Sequence, residues 1–325
     1  MNWMKLLQRL GINLDLALEA TEALRGQAQR EIPGVAEEKE QFPQATVTTI
    51  KILDQVGEQL MGKPVGSYIT IEAPGLRLNN KEIHQNISTV LAQKINDMLK
   101  ELHLSPEASI LLVGLGNWNA TPDALGPRVI NKSLVTRHLY QYAPAELRGD
   151  LREVSALAPG VLGTTGIETA EIIKGVVDRL KPGAVIAIDA LAASNLQRIG
   201  TTIQLTNTGI NPGSGIGNKR TGLNANTLGV PVIAIGVPTV VHAAVIAFEV
   251  FGQLTAGNPY LTQQINEEKM HQIVGQVLEP FGGQLTVTPK EIDELIDNTA
   301  RVIAESINQG LHPGIDAENA SVYLQ

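Results

Sequence analysis

Residues 109–127 read SILLVGLGNWNATPDALGP, and the order of residue types in this stretch decides the fold class. Ile110, Leu111, Leu112 and Val113 form an unbroken apolar run, with Gly114 and Gly116 behind it. A strand with one wet face alternates apolar and polar residues. A strand covered on both faces does not alternate, and such strands belong to parallel sheets flanked by helices. The loop that follows, with Asn117, Thr121, Pro122 and Asp123, then lies at the strand's carboxyl end, where open α/β sheets bind their ligands. A second run, AVIAIDAL over 184–191, repeats the arrangement with Asp189 near its end. If both strands share one parallel sheet, Asp123 and Asp189 stand on one rim.

Outward from these two runs the chain keeps the same grammar. Helix 168–180 (Ile172, Ile173, Val176, Val177 inward) stops at Pro182-Gly183 before the Asp189 strand, giving a strand–helix–strand crossover with Val154 to Leu157. VPVIAIGV at 230–237 is a third buried-type strand. Helices are expected over 81–102, with Ile83, Ile87, Val90, Leu91 and Ile95 on one face, over 128–142, and over 289–308. The last carries Thr288 and Glu291 at capping-box spacing around Pro289. Residues 25–45 are polar and broken by Gly26, Pro33, Gly34 and Pro43, and read as an exposed connection. VTTIKI at 47–52 and SYITI at 67–71 read as strands of a smaller, partly antiparallel excursion. Residues 1–10 form one short amphipathic helical stretch. The expected architecture is α/β, phosphorylase/hydrolase-like: a mostly parallel central sheet flanked by helices, with a less regular N-terminal strand excursion.

Composition narrows the chemistry. The 325 residues are 43% hydrophobic but only 3% aromatic, so the core is built from Ile, Val, Leu and Ala, which suits helices layered on a sheet. A net charge of -8 argues against a general nucleic-acid binder. There is no cysteine, which removes thiolate nucleophiles, disulfides and Cys-bound metals. With neither a membrane-length apolar run nor a signal-peptide pattern, a cytoplasmic protein is expected.

Asp123 and Asp189 are the chemical candidates. Two neighbouring carboxyls cannot both ionise freely, so one keeps a proton and the pair can serve as base and acid on a water and a scissile amide. The plainer reading is that Asp123 caps the helix near Pro127 and Asp189 ends a strand. Of the histidines, His84 and His103 read as surface residues of a helix. His242 alone is placed to reach the rim, where with both aspartates it would make a three-ligand metal site; otherwise it starts a helix. GINPGSGIG at 209–217 matches neither the P-loop nor the dinucleotide fingerprint, so a nucleotide-binding module is the weaker alternative.

GLGNWNATPDALGP, ALAPGVLGTTGIETAEII, AIDALAA, NPGSGIGNKR, GVPTVV and LHPGI, in this order, together resemble the germination proteases of bacterial spores, atypical aspartic endopeptidases. The resemblance runs from about Asp15 to the end. It implies a fold similar to hydrogenase maturation proteases, catalytic aspartates at Asp123 and Asp189, and no cofactor. It further implies a homotetramer of the spore core that degrades small acid-soluble spore proteins at germination, with neither nucleic acid nor membrane as partner. Family members are made as autoprocessed zymogens, so residues 1–14 are expected to be a propeptide cut between Gly11 and Asp15. Residues 15–325 would then be one peptidase domain with its core at about 105–250. One departure stands out: after GVPTVV an acid is expected, and this chain has His242.

Overall fold

A computed structural model describes residues 16–25, 31–144, 150–213, 220–256, 267–312 and 314. The N-terminal helix and propeptide assigned to residues 1–14, and residues 214–217 of the glycine-rich loop, lie outside them.

One mixed sheet organises the chain. Its strands are β1 Val35–Phe42, β2 Ala45–Ile52, β3 Gly66–Glu72, β4 Ile110–Gly114, β5 Val154–Leu157, β6 Ala184–Ala193, β7 Thr202–Thr206, β8 Val232–His242 and β9 Thr286–Val287. The order is β1-β2-β3-β7-β8-β6-β4-β5, with β9 on the end of β8. β5, β4, β6 and β8 are mutually parallel, whereas β8, β7, β3, β2 and β1 are joined antiparallel. The architecture is the expected α/β one. The N-terminal strands form the expected antiparallel addition, and an unbroken register from Tyr68↔Thr206 to Glu72↔Thr202 joins them to the same sheet as its second half.

The apolar runs behave as their composition dictates. Every residue of β4 is buried, since Ile110 and Leu112 face one helical layer while Leu111 and Val113 face the other. The first layer holds α3 Lys81–Glu101, α4 Leu125–Lys132, α9 Ala243–Thr255, α10 Glu267–Leu278 and α11 Ile292–Leu311. The opposite layer holds α7 Thr169–Leu180 and the short α8 Ala225–Leu228. Beside them α1 Ala17–Arg25 and α2 Gln55–Met61 pack on Ile50, Ile52 and Tyr68 of the antiparallel half. The remaining helices, α5 Arg137–Tyr142 and α6 Leu162–Thr165, are surface connections. Each fully buried Ile or Leu contributes about 1.5–3 kcal/mol, so the long faces of α3 and α11 account for much of the stability of the first layer.

Several local expectations are corrected. Residues 25–45 contain β1, an edge strand whose middle residues are all exposed. Buried Lys94 of α3 holds this edge, its Nζ 2.7 Å from Glu40 and 5.5 Å from the Phe42 ring centroid. The span 128–142 is two helices, α4 and α5, because the backbone turns extended at Ser133. Helix α11 starts at Ile292 with Glu291 as its N-cap and no side-chain cap. The predicted capping box is absent because the Thr288 hydroxyl donates to the Thr239 carbonyl instead, at 2.9 Å. His84 is buried at 6% exposure rather than on the surface, while His103 is exposed.

Candidate active site

The parallel half creates a crevice. From β4 the chain crosses to β5 on one flank, with α4 in the first layer. From β6 it continues toward β7 and β8 on the other flank. Between β4 and β6 the winding therefore changes direction, and ligands of open α/β sheets bind at the carboxyl ends of such a pair. Both predicted aspartates lie there.

Asp123 closes a short 3-10 turn, Thr121–Asp123, just above the end of β4. Two glycines make that turn possible. Gly116 sits at φ 112°, and a Cβ there would run into the Asp123 carbonyl. Gly126 lets α4 touch the sheet rim, since its Cβ would meet the Leu115 backbone and lie 2.6 Å from the Ile188 carbonyl oxygen. Asp123 does not cap α4, whose N-cap is Ala124. Its carboxylate points back into the loop, where the Asn117 N–H donates to Oδ2 at 2.8 Å and to the Asp123 carbonyl at 3.0 Å. Burial raises the Asp123 carboxyl above its ordinary value, and the Asn117 N–H and the charge of Arg220 oppose that shift.

Asp189 is not a strand-end residue either, for β6 runs on to Ala193. It is 5% exposed. Its Oδ1 accepts the Ala190 N–H at 2.9 Å. Gly114 of β4 pairs with Ile188, and the Leu115 N–H donates to the Ile188 carbonyl at 2.8 Å, so the Asp123 loop springs from the residue facing Asp189's neighbour. By the two-residue period of a strand, Asp189 shares its face with Val185 and Ala187, in the layer that also receives Leu223. Arg220, the charge felt by Asp123, lies just upstream of Leu223.

A cavity of about 490 Å³ opens on this same face, lined among others by Ala20, Tyr68, Leu191, Gln204, Thr206 and Gly236. Leu191 projects from β6 on the face of Asp189, and Gly236 is the partner of Asp189 across the ladder. The cavity thus reaches the strand neighbours of Asp189, with neither aspartate among its lining residues, and extends over the antiparallel half. Helix α1 forms part of its wall, tied down by the Ala17 N–H donating to the Gln204 side chain at 2.9 Å. Buried Arg198, after β6, holds the same helix through Glu19 at 3.3 Å and Glu22 at 2.8 Å.

His242 does not join the aspartates. It is 4% exposed and caps α9, its Nδ1 accepting the Ala244 N–H at 3.2 Å. Burial lowers its pKa, opposed by a hydrogen bond to the Gly283 backbone. Among the described residues no three His, Asp or Glu side chains gather as a metal site, so the His242–Asp123–Asp189 ligand set is withdrawn. Helix-start packing is the role the structure gives His242. Sequence reasoning missed the cavity wall from α1 and β7, and it missed Thr239, whose hydroxyl donates to the Pro122 carbonyl at 2.7 Å. The only trace of the latter was a polar residue amid the apolar run of β8.

Comparison with known proteins adds the family. A family model described as germination protease matches residues 13–254 and 260–324. The chain is 51% identical to the germination protease of Caldanaerobacter subterraneus subsp. tengcongensis, covering 97% of this chain and 98% of that one. It is 42% identical to the germination protease of Clostridium tetani, with 97% and 100% covered, and 42% identical to that of Bacillus subtilis, with 96% of each covered. No helix among the described residues is long and apolar enough to cross a membrane. A family match over nearly the whole sequence, with relatives at this identity, means that the chain belongs to the germination protease family and is a peptidase of spore germination.

Proposed function

We propose that this protease cleaves peptide bonds with a water activated between Asp123 and Asp189, and that its substrates are the small acid-soluble spore proteins. The observation that carries the reading is that Asp123 lies in the loop leaving β4 and Asp189 stands on the adjacent parallel strand β6 one residue past the level where β4 ends, with a cavity lined by Asp189's neighbours Leu191 and Gly236. The ionised carboxylate takes a proton from the water as it attacks the scissile carbonyl. The protonated partner hydrogen-bonds the developing oxyanion and then supplies the proton that the leaving amine needs. The pair shares that proton, so its two titrations belong to the dyad rather than to either residue. Burial of Asp123 favours its protonated form, and the Asn117 N–H and Arg220 favour its ionised form. These opposed influences suit a group that must alternate between the two.

The same reading makes the chain an autoprocessed zymogen whose residues 1–14 are removed, acting as a homotetramer in the spore core. The support for these further points is the resemblance to a family with that life history. N-terminal sequencing of the matured protein is expected to give a start between Gly11 and Asp15, and a start well beyond Asp15 contradicts the assignment.

The test of the chemistry is incubation with a purified small acid-soluble spore protein, with and without chelator. The processed parent is expected to yield fragments regardless of chelator, and Asp123→Asn and Asp189→Asn to yield none. Unchanged cleavage by both variants removes the two-aspartate chemistry. Loss of parental activity with chelator, restored by added metal, moves the mechanism to a metal-dependent one.

A further inference from the structure

Strand β8 carries an irregularity at the level of the Asp123 turn. Leu191 of β6 pairs with Pro238 and Ala192 with Val240, which leaves Thr239 as the extra residue of a bulge. A bulge breaks the ladder at one residue and re-aims its side chain, and bulges recur beside active sites for that reason. Thr239 is 2% exposed. Its hydroxyl donates to the carbonyl of Pro122, the residue immediately before Asp123, at 2.7 Å. Its own carbonyl accepts the Thr288 hydroxyl at 2.9 Å. A chain of hydrogen bonds therefore runs from the approach to α11, through the bulge of β8, into the turn that carries Asp123.

The turn's own backbone bonds are local, from the Asp123 N–H to the Ala120 carbonyl at 2.8 Å, from the Ala124 N–H to the Thr121 carbonyl at 3.1 Å and from the Asn117 N–H to Asp123, whereas the Thr239 hydroxyl reaches it from another strand. Pro122 has no N–H to donate, Ala120 before the turn makes no side-chain cap, and Trp118 in the preceding loop is 55% exposed. We propose that Thr239 is a positioning residue for Asp123, its hydroxyl fixing the Thr121–Asp123 turn so that the carboxylate stays on the Asn117 N–H. This rests on the assignment of Asp123 to the reaction. The plain alternative is that Thr239 only satisfies a buried carbonyl, which would appear as lost stability and nothing else.

The two roles differ in the pH profile. The Asn117 N–H stabilises the ionised carboxyl, so a turn that slips off it raises the pH at which Asp123 gives up its proton. Steady-state cleavage of a small acid-soluble spore protein by the processed full-length enzyme is measured across pH for Thr239→Val, Thr239→Ser and Asp123→Asn. Thr239→Val is expected to lower kcat about tenfold, a change of about 1.4 kcal/mol in the barrier. Its KM should stay within about twofold and its acid limb should move to higher pH, because the substitution touches the turn and not the cavity. Thr239→Ser keeps the hydroxyl and is expected to restore both kcat and the limb. A Thr239→Val enzyme with the parental limb overturns the proposal, as does a Thr239→Ser enzyme as impaired as the valine variant. If Thr239→Val does not fold, Thr288→Val removes the next hydroxyl in the chain and is expected to shift the limb in the same direction; no shift there overturns the proposal equally. Full activity of Asp123→Asn is a different failure, because it removes Asp123 from the reaction whatever Thr239 does.

Discussion

The two halves of the sheet divide the work of the molecule. In the half made of β5, β4, β6 and β8 all strands run the same way, so their carboxyl ends collect on one rim, and the chemistry-bearing side chains collect with them. In the half made of β7, β3, β2 and β1 neighbouring directions alternate, and no such rim exists. That half instead offers a broad face on which Tyr68, Gln204 and Thr206 line the cavity. The seam between the halves is β8, paired parallel to β6 and antiparallel to β7, and both the cavity and the Thr239 bulge lie along it. Direction of pairing decides where a sheet can place converging groups, and the antiparallel half extends the surface those groups can act on.

The comparison predicts unequal sensitivity to substitution. The largest stability effect is expected at the rim of the parallel half, where Gly126→Ala drives a Cβ into the Leu115 backbone and the Ile188 carbonyl. Rigid backbone on both sides cannot yield as a side chain would, so a loss of more than about 3 kcal/mol in denaturant unfolding is expected. A loss below about 1 kcal/mol would mean that α4 is not seated on the rim.

The amino-terminal side of the same half supplies a pH-dependent effect. His312 is 1% exposed and its Nδ1 accepts the Arg152 N–H at 3.2 Å, just before β5. Burial, assisted by the Arg152 charge and opposed by a backbone bond at Leu134, pushes its pKa from 6.5 down to about 4. The unfolded chain therefore takes up this proton below its ordinary value while the folded chain refuses it. Stability from this group is full above pH 6.5 and drains as pH falls toward about 4. The drain amounts to about 3 kcal/mol. In His312→Gln the unfolding free energy should be lower at neutral pH but flatter across that window. A slope equal to that of the parent would show that another group carries it.

The smallest effect is expected at the far edge of the antiparallel half. Glu38 of β1 is exposed and faces Thr49 across the ladder, so Glu38→Thr should change stability by less than about 0.5 kcal/mol. A cost above about 1 kcal/mol would mean that the edge is bound more tightly than its exposure implies.

The parallel half was also the more legible in the sequence. Its strands are covered on both faces, so ILLV, AVIAI and VIAI announce themselves without any knowledge of their partners. Both candidate aspartates follow from that, since Asp189 closes one such run and Asp123 lies in the loop that follows another. The antiparallel half was read less well. β1 is VAEEKEQF, with nothing apolar in its middle, and what makes it a strand is pairing with β2 and the Lys94–Glu40 contact from a distant helix. β7, TIQLT, does alternate, with Ile203 and Leu205 in the core, but it is too short to stand out from the turns around it. Long-range polar partners left no local signal at all. Arg198 is buried only because Glu19 and Glu22 come to it from α1, and Thr288 forgoes its capping role because a bulged strand offers it a carbonyl. His242 admitted two readings from sequence, rim ligand or helix start, and the structure bears out the second, because α9 begins at the next residue and the Ala244 N–H donates to its Nδ1.

The central claim is that Asp123 and Asp189 act as one unit on a single water. The most direct test is a mutant cycle: the rate of cleavage of a small acid-soluble spore protein by the processed parent, Asp123→Asn, Asp189→Asn and the double variant. Groups that share a proton and a water lose their function together, so each single change is expected to cost at least about 10²-fold and the double change little more than either. Either single variant within about twofold of the parent, or losses that multiply in the double variant, would contradict the dyad.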